Sequence, residues 1–345
     1  MATMADVARI AGVSIATVSH VLNGTRAVRE QTRDQVLAAV RATDYSPNTV
    51  ARSLATARTT TIGLALSAIS NPYFGELLYA IESEAAQAGY TLLLADPHED
   101  PGYEDTVVQR LYRRRVDGVL LAPSADPGSA LAFLDARSVP TVLIDRIIDG
   151  GFDQIGTENV GPVAGLVDHL AELGHRRIAL VAGHAGLATT IERIEGYRLG
   201  LTRRGLAYDP WLVVDGNSEA EPARRAVHAL LGADPRPTAI ITANNSMTIG
   251  AMQALQEAGL QVPADIALVA FDDFPWAKLF RPRLTVVAQP FADLGRQAVR
   301  LLLRRMADPA APPHTVRLRP RFMHRESCGC PPGDGAGDRS PAPTP

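Results

Sequence analysis

The chain has 345 residues, enough for two domains or slightly more, and its 46% hydrophobic content is ample for a sizeable core. Residues 1–58 carry seven Arg and no Lys against four acidic residues, a net charge of +3, whereas the whole chain has −3. A small basic head on an acidic body is typical of a protein that touches nucleic acid with one end only. No apolar run approaches the roughly 20 residues of a membrane span, and the N-terminus lacks the apolar core of a signal peptide. We therefore expect a cytoplasmic protein with no membrane partner.

Residues 1–45 predict a helix-turn-helix domain. The predicted helices are Met4–Ala11, Ile15–Asn23 and Glu30–Thr43. Thr3 and Ser14 can cap the first and second helices, Gly12 supplies the sharp turn between them, and Gly24 ends the second. Two short helices joined in this way are a common DNA-binding motif.

The second predicted helix has two distinct faces. Its apolar stripe, which closes the three-helix core, comprises Val18, Val21 and Leu22. The opposite face carries Ile15, Ala16, Ser19 and His20. The methyl groups of Ile15 and Ala16 can touch thymine, and Ser19 and His20 can hydrogen-bond base edges or phosphate.

The region 61–325 alternates apolar strands with amphipathic helices. The predicted strands are Thr61–Leu66, Thr91–Ala95, Gly118–Leu121, Thr141–Ile144, Ile178–Val181, Thr238–Thr242 and Ile266–Phe271. The predicted helices include Tyr73–Ala88, Val160–Leu173, Glu192–Arg204, Ala223–Leu231 and Ser246–Ala258. This rhythm predicts parallel sheets covered on both faces, and its length favours two lobes. A ligand of such a fold binds beyond the carboxyl ends of the strands.

The segment 327–345 is rich in Pro and Gly and is predicted to be a disordered tail. It contains both cysteines, Cys328 and Cys330. Two thiols alone make neither a disulfide framework nor a zinc site, so we expect them to be incidental and predict no metal and no cofactor. Because the tail has no heptad helix, a dimer is expected rather than a tetramer.

Several ordered motifs resemble the lactose-repressor (LacI/GalR) family of bacterial transcriptional regulators. The run MADVARIAGVSIATVSHVLNG over 4–24 matches the family's head, as do Tyr45–Asn48 and Ala51–Ala55. The resemblance continues to about residue 326 through Asn71–Phe74, Asp117-Gly118, Asp145-Arg146, Leu173–His175, Arg193, Gly196-Tyr197, Ala243-Asn244, Gly250–Met252, Phe271–Asp273, Leu284-Thr285 and Gln289-Pro290. Each motif alone is weak evidence, but their joint order is highly specific.

The resemblance implies a ligand-responsive regulator, expected to be a repressor, that binds a pseudo-palindromic operator in double-stranded DNA as a homodimer. Residues 46–60 would form a hinge helix and linker, with Ser46 and Pro47 at the start of the helix and Leu54 as a wedge in the minor groove. The implied DNA-binding residues are Thr3, Ser14, Ile15, Ala16, Thr17, Ser19, His20, Asn23, Asn48, Ala51, Leu54 and Ala55. His20 stands where many relatives carry Arg, which leaves the operator sequence open.

The body is similar to the two-lobed fold of periplasmic binding proteins. Three crossings near residues 157, 288 and 318 would divide the region 61–326. The first lobe would hold 61–157 and 289–318, and the second 158–288 and 319–326. The effector-binding residues implied by the resemblance are Asn71, Phe74, Asp145, Arg193, Asn244, Asp272 and Gln289. Relatives often have an aromatic residue near Ser218, so Phe74 or Trp276 is considered as its replacement, with packing as the alternative role of Trp276.

Carboxylates, amides and a guanidinium can satisfy the hydroxyl groups of a polyol, so we expect a sugar effector, with a nucleoside or purine as the alternative. A sugar-binding protein without a DNA function would lack the helix-turn-helix head. An α/β enzyme is the other rival class. The first strand is followed by SNPYF over 70–74 rather than by a G-x-G-x-x-G loop, and no nucleophile–base set stands out, so no catalytic residues are predicted.

Overall fold

A computed structural model describes residues 2–23, 26–45, 58–67, 74–274 and 276–330, apart from the side chain of Asn23. The chain divides into two compact units, Met1–Thr59 and Thr60–Pro345.

The first unit contains the three predicted helices, with the predicted bounds. They are α1 (Met4–Ala11), α2 (Ile15–Asn23) and α3 (Glu30–Thr43). Thr3 caps α1 and shares a reciprocal capping box with Asp6, and Gly12 takes the left-handed conformation that ends α1. The side chains of Val7, Val18 and Val36 are fully buried where the helices meet. Ile10, by contrast, is 50% exposed although it is a large hydrophobic residue.

The second unit begins with β1 and alternates strands and helices. Its helices are α4 (Phe74–Gln87), α5 (Pro101–Arg113), α6 (Gly128–Ala136), α7 (Val160–Glu172), α8 (Ala188–Arg203), α9 (Ala220–Leu231), α10 (Asn245–Glu257) and α11 (Phe291–Ala307), with a 3-10 turn over Pro210–Leu212. Its strands are β1 (Thr61–Ala65), β2 (Thr91–Ala95), β3 (Gly118–Leu121), β4 (Thr141–Asp145), β5 (Asp153–Thr157), β6 (Ile178–Ala182), β7 (Val213–Asp215), β8 (Ala239–Thr242), β9 (Ala267–Phe271), β10 (Thr285–Ala288), β11 (Thr315–Leu318) and β12 (Arg321–Met323).

These strands form two separate sheets. The first has the order β11-β5-β4-β3-β1-β2 and is parallel throughout. The second has the order β12-β10-β9-β8-β6-β7, and its edge strand β12 runs antiparallel to β10. The chain passes from one sheet to the other after β5, after β10 and after β11, close to the predicted crossings. The predicted fold class, an α-helical head with an α/β body of parallel sheets, is confirmed.

Helices cover the sheets on both faces, which accounts for the apolar strands. In β1, Ile62 and Leu64 pack toward α4 and α11, while Ala65 belongs to the cluster formed with α5 and α6. Of the helices that cover the second sheet, α7 packs against α8 and α9 packs against α10. The helix pairs leave the carboxyl ends of the strands as the natural place for a ligand.

The prediction missed five strands, β5, β7, β10, β11 and β12. Its examples of helices did not include α5, α6 and α11. The strand β5 reads DQIGT, whose polar residues hide the pattern, yet it is buried throughout. Its first residue, Asp153, is tolerated there because Arg304 and Arg305 on α11 donate hydrogen bonds to its carboxylate at 2.8 and 2.7 Å.

The predicted start of the disordered tail at residue 327 is wrong. The Ser327 hydroxyl accepts a hydrogen bond from the Thr285 backbone N–H at 2.8 Å and donates one to the Leu268 carbonyl at 2.6 Å. Cys328 is fully buried. Backbone groups left free at the edges of β9 and β10 therefore hold the chain against the second lobe as far as Cys328.

No single helix among the described residues is long and apolar enough to span a membrane. Taken together, α1 and α2 are long and apolar enough to do so by length and composition alone, with a bend of 103° between them.

Candidate functional site

Two aspartates stand where central strands of the two sheets end. Asp145 is the last residue of β4, and Asp272 directly follows β9. Both have a positive φ, +66° for Asp145 and +85° for Asp272, a backbone conformation that costs free energy in a residue other than glycine. Both are also buried. Such strained, buried carboxylates at strand ends are typical of a binding site.

These aspartates line a narrow cleft between the two lobes, with a cavity volume of about 60 Å³. The cleft is lined by Phe74, Glu99, Asp145, Arg146, Leu187, Thr189, Arg193, Ser218, Asn244, Asp272 and Gln289. The structure thus brings together six of the predicted effector-binding residues, namely Phe74, Asp145, Arg193, Asn244, Asp272 and Gln289. Asn71 lies outside the described residues.

Arg193, on α8, is held rigidly in the cleft wall. Its Nε donates a hydrogen bond to the Asn159 side chain at 2.9 Å, and one of its terminal nitrogens donates to the carbonyl of Ala243. Its guanidinium group also lies 3.8 Å from the centroid of the Phe271 ring. A cation fixed from three sides is already oriented for a ligand, so little rotamer entropy is lost on binding.

Asp272 and Gln289 form a hydrogen-bonded pair just beyond the ends of β9 and β10. The Nε2 of Gln289 donates to Oδ1 of Asp272 at 2.8 Å, and the backbone N–H of Asn245 donates to Oδ2 at 3.4 Å. The Oε1 of Gln289 is buried and has no hydrogen-bond partner within the described part of the chain. A buried acceptor without a partner is costly, and a ligand that supplies an N–H or O–H would satisfy it.

Asn244 has a structural role as well as a place in the cleft. Its Oδ1 accepts a hydrogen bond from the backbone N–H of Met247 at 2.8 Å and so caps α10. Its Nδ2 donates to the carbonyl of Ser218 at 3.1 Å. Both ends of the amide are therefore engaged with the protein, which leaves Asn244 less hydrogen-bonding capacity for a ligand than Gln289 has.

Sequence reasoning did not select five residues of the cleft, which are Glu99, Arg146, Leu187, Thr189 and Ser218. Arg146 is buried, and it donates hydrogen bonds to both carboxylate oxygens of Glu99 and, at 2.7 Å, to the carbonyl of Pro123. The position of Arg146 directly after Asp145, a predicted effector-binding residue, could have identified it as a cleft residue. Glu99, which is distant in sequence, gave no such signal.

Asp145 lies in a strongly electrostatic environment. Burial raises the pKa of its carboxyl group above the ordinary value, although the nearby charges of Arg146 and Arg193 oppose this shift. The Nε of Arg146 lies 3.8 Å from Oδ2 of Asp145. The cleft therefore holds three carboxyl groups, those of Glu99, Asp145 and Asp272, and the two guanidinium groups of Arg146 and Arg193.

Trp276 does not belong to the cleft, and its predicted place among the effector-binding residues is wrong. Its ring packs edge-on against Phe274, with the centroids 4.9 Å apart, and lies near Phe280. Together with Met252 and Leu284 it lines a different groove. The ring of Trp276 is therefore packed against aromatic neighbours outside the cleft.

A larger cavity, of about 550 Å³, adjoins the cleft at Arg146. It opens between the loops after β3 and β4 and the start of α8, and its wall includes Ile148 and Ile191. An ion pair between Arg317 and Glu192, 2.8 Å long, joins the two lobes at its edge. The space beside Arg146 is thus large enough for the part of a ligand that projects beyond the cleft.

The candidate DNA-binding residues of the first unit lie on its surface or at its edges. Ile15 is 53% exposed, whereas Val18, on the opposite side of α2, is fully buried. The side-chain oxygen of Ser14 accepts a hydrogen bond from the backbone N–H of Thr17 at 3.1 Å and caps α2, as Thr3 caps α1. Of the other predicted positions, Ala16 is exposed and Thr17, Ser19 and His20 are half-buried. The side chain of Asn23 and the residues Asn48, Ala51, Leu54 and Ala55 lie outside the described residues.

The chain matches two family models. Residues 3–48 match bacterial regulatory proteins of the lacI family, and residues 167–328 match the periplasmic binding protein-like domain. The HTH-type transcriptional repressor PurR of Pectobacterium carotovorum is 37% identical over 338 residues, which cover 95% of this chain and 97% of that protein.

Solved structures of full-length regulators share the fold. A lac repressor dimer bound to operator and the anti-inducer ONPF matches with a TM-score of 0.86 and 32% identity, over 95% of this chain and 99% of that one. A complex of the transcriptional regulator CelR with cellobiose matches with a TM-score of 0.71 and 30% identity, over 95% of this chain and 100% of that one.

The predictions of a DNA-binding regulator and of a protein that is not an enzyme are confirmed by these relatives. Operator DNA and a small-molecule effector are the partners of such a protein. The chain belongs to the lacI family of bacterial transcriptional regulators and is a ligand-responsive, DNA-binding repressor.

Proposed function

We propose that the effector of this repressor is a sugar and that it binds in the cleft between the two lobes. The observation that carries the proposal is the Asp272–Gln289 pair, in which the carboxylate accepts a hydrogen bond at 2.8 Å from an amide whose own oxygen is buried and has no partner among the described residues. Adjacent hydroxyl groups of a polyol can donate to the Asp272 carboxylate and to Oε1 of Gln289 at the same time.

The rest of the cleft suits the same chemistry. Arg193 supplies a fixed donor for a hydroxyl or ring oxygen, and Asp145 supplies an acceptor from the other lobe. A ligand that meets both sets of groups binds one relative placement of the lobes better than others, and this differential affinity is what shifts an equilibrium between two states. The CelR relative, whose solved structure contains cellobiose, supports a sugar ligand for this kind of cleft.

A nucleoside or a purine base is the second candidate. Phe74 and Leu187 place apolar surface in the cleft wall, against which a flat ring can pack. Amide and carboxylate groups such as those of Gln289 and Asp272 can also bind the edge of a base.

A thermal-shift screen separates the two candidates. Purified protein is heated with separate panels of monosaccharides, disaccharides, nucleosides and purine bases, because a ligand that binds only the folded state raises its stability, by about 2.7 kcal/mol at a hundredfold excess over Kd. We expect a sugar to raise the Tm of the parent and of Trp276→Phe, but not of Arg193→Ala. A response confined to nucleosides or bases would reject the sugar and establish the alternative.

We further propose that the protein works in the cytoplasm as a homodimer on a pseudo-palindromic operator. The exposed face of α2 supports base reading, and the relative bound to operator is a dimer. Selection of bound sites from random DNA is expected to return two half-sites related by a dyad, and sedimentation is expected to give two chains per operator. A single asymmetric half-site bound by one chain would overturn this proposal.

A further inference from the structure

Four potential metal ligands meet at one edge of the second lobe. His169 lies on α7, His324 follows β12, and Cys328 and Cys330 come shortly after it. Their ligand atoms all lie within 4.8 Å of one another. Among the described residues, this is the one place where three or more His, Cys, Asp or Glu side chains are close enough together to hold a metal ion. Both cysteines are free thiols, and Cys328 is fully buried.

Two of the sulfur–nitrogen distances within this group are close to those of a tetrahedral site. The Sγ of Cys328 lies 3.4 Å from Nε2 of His324, and the Sγ of Cys330 lies 3.7 Å from Nε2 of His169. Zinc bonds of about 2.3 Å to sulfur and about 2.05 Å to nitrogen place neighbouring S and N ligands about 3.6 Å apart at tetrahedral angles. The four atoms can therefore converge on one ion with only small side-chain shifts.

The fold, and not chance contact of loose ends, brings these residues together. Pairing of Met323 with Val286 fixes the strand that leads into His324, and the hydrogen bonds of Ser327 fix the residue before Cys328. Gly329 separates the two cysteines and has φ +85°, a conformation that residues with a Cβ rarely adopt. This turn lets both thiols point toward α7.

The surroundings also suit a structural metal site. The Phe322 ring stacks on His324, with the planes 20° apart, and meets His169 edge-on at 5.3 Å, so an apolar side chain flanks both imidazoles. His169 is half-buried, and its ring also meets the His324 ring edge-on, with the centroids 5.3 Å apart.

The group is well separated from the effector cleft. Asn159, which contacts Arg193 in the cleft wall, stands at the start of α7, whereas His169 comes ten residues later. At a rise of 1.5 Å per residue, the two positions are about 15 Å apart along the helix. A metal bound here would act on the stability of the second lobe and would not contact the effector.

We propose that His169, His324, Cys328 and Cys330 bind one Zn²⁺ ion in a closed, structural Cys2His2 site. Both cysteine thiols lose their protons to solvent as two Zn–S and two Zn–N bonds form, so no ligand position remains for water or substrate. The ion ties the C-terminal segment of the chain to α7.

The first test is direct metal binding by the full-length chain, expressed without a histidine tag and stripped with a chelator under reducing conditions. Titration with Zn²⁺ in competition with a chromophoric chelator is expected to give one tight site per chain and release of about two protons. Co²⁺ in place of Zn²⁺ is expected to give the absorption bands of a tetrahedral ion with thiolate ligands. Failure of the reduced protein to bind Zn²⁺, or a Co²⁺ spectrum of octahedral type, would overturn the proposal.

Variants assign the ligands. His324→Gln is the most informative, because His324 is exposed and its loss leaves the fold intact. His324→Gln and Cys330→Ser are each expected to abolish the tight site and the rise in Tm that Zn²⁺ gives to the parent. The matched control is His228→Gln, on α9, which should bind Zn²⁺ like the parent. Equal binding by His324→Gln and the parent, or a Cys328–Cys330 disulfide in protein isolated under thiol-blocking conditions, would argue against the site.

Discussion

Gln289 donates a hydrogen bond from Nε2 to Oδ1 of Asp272 across 2.8 Å, which links the end of β10 to the end of the neighbouring strand β9. The contact fixes the carboxylate in one orientation despite its strained backbone. It also fixes which end of the Gln289 amide remains for a ligand, since only Nε2 can donate to a carboxylate.

Removal of either partner should weaken effector binding with little effect on folding. Asp272→Asn and Gln289→Leu each delete one charged or charge-supported hydrogen bond to the ligand, so we expect a loss of about 1.5–3 kcal/mol, or roughly ten- to a hundredfold in Kd. Calorimetry with the sugar found in the thermal-shift screen measures this loss. Trp276→Phe serves as the control because it lies outside the cleft. Undiminished affinity in both cleft variants would remove the pair from the binding site.

The raised pKa of Asp145 predicts a specific dependence of stability on pH. Because burial raises the pKa of this carboxyl group in the folded state, the folded protein holds a proton that the unfolded chain has already lost. Its contribution to stability is therefore present below about pH 3.8 and is lost as the pH rises through the raised folded-state pKa.

Asp145→Asn removes this titration, so the free energy of unfolding of the parent minus that of the variant should fall as the pH rises through the same window. Urea unfolding of both proteins at a series of pH values measures the difference. The slope is the readout, because loss of the contact with Arg146 shifts the variant by a constant amount. A difference that grows with pH would contradict the prediction.

The exposed face of α2 should determine which operator is bound. Replacement of Ile15, Ala16 and His20 with the residues of a relative is expected to move sequence preference to that relative's operator, because these side chains reach base edges. The fold should survive, since Val18 and not these residues fills the core. Selection from random DNA before and after the exchange checks the outcome, and an unchanged consensus would refute the assignment.

Leu54→Gly should uncouple DNA bending from ligand binding. The helix predicted from Ser46 to Ala55 is too short to persist alone, so DNA and a second chain would have to stabilise it. The substitution removes the wedge and makes the free energy of helix formation less favourable by about 1 kcal/mol. We therefore expect a large loss of operator affinity and of DNA bending. Effector affinity of the DNA-free protein should not change. A variant that binds and bends the operator like the parent would show that the segment is a passive tether.

Local patterns in the sequence were sufficient for the head and for most of the layered body. The caps Thr3 and Ser14, the turn at Gly12 and the apolar spacing within each helix all act over a few residues. These local patterns therefore predict α1, α2 and α3 with their bounds. Apolar strands such as β3 can also be recognised locally. Both of their faces are buried, so successive residues along the strand are apolar.

Other features depended on residues far apart in the chain, and only the tertiary structure decided them. Asp153 is tolerable in a buried strand because Arg304 and Arg305 lie beside it, and Arg146 is buried because Glu99 neutralises it. The sequence placed Cys328 and Cys330 in a disordered tail, whereas pairing of β12 with β10 carries them to His169, more than 150 positions earlier in the chain. Burial and charge pairing depend on which residues lie across a sheet or a cleft, and these residues are far apart in the sequence. The local sequence pattern therefore cannot predict them.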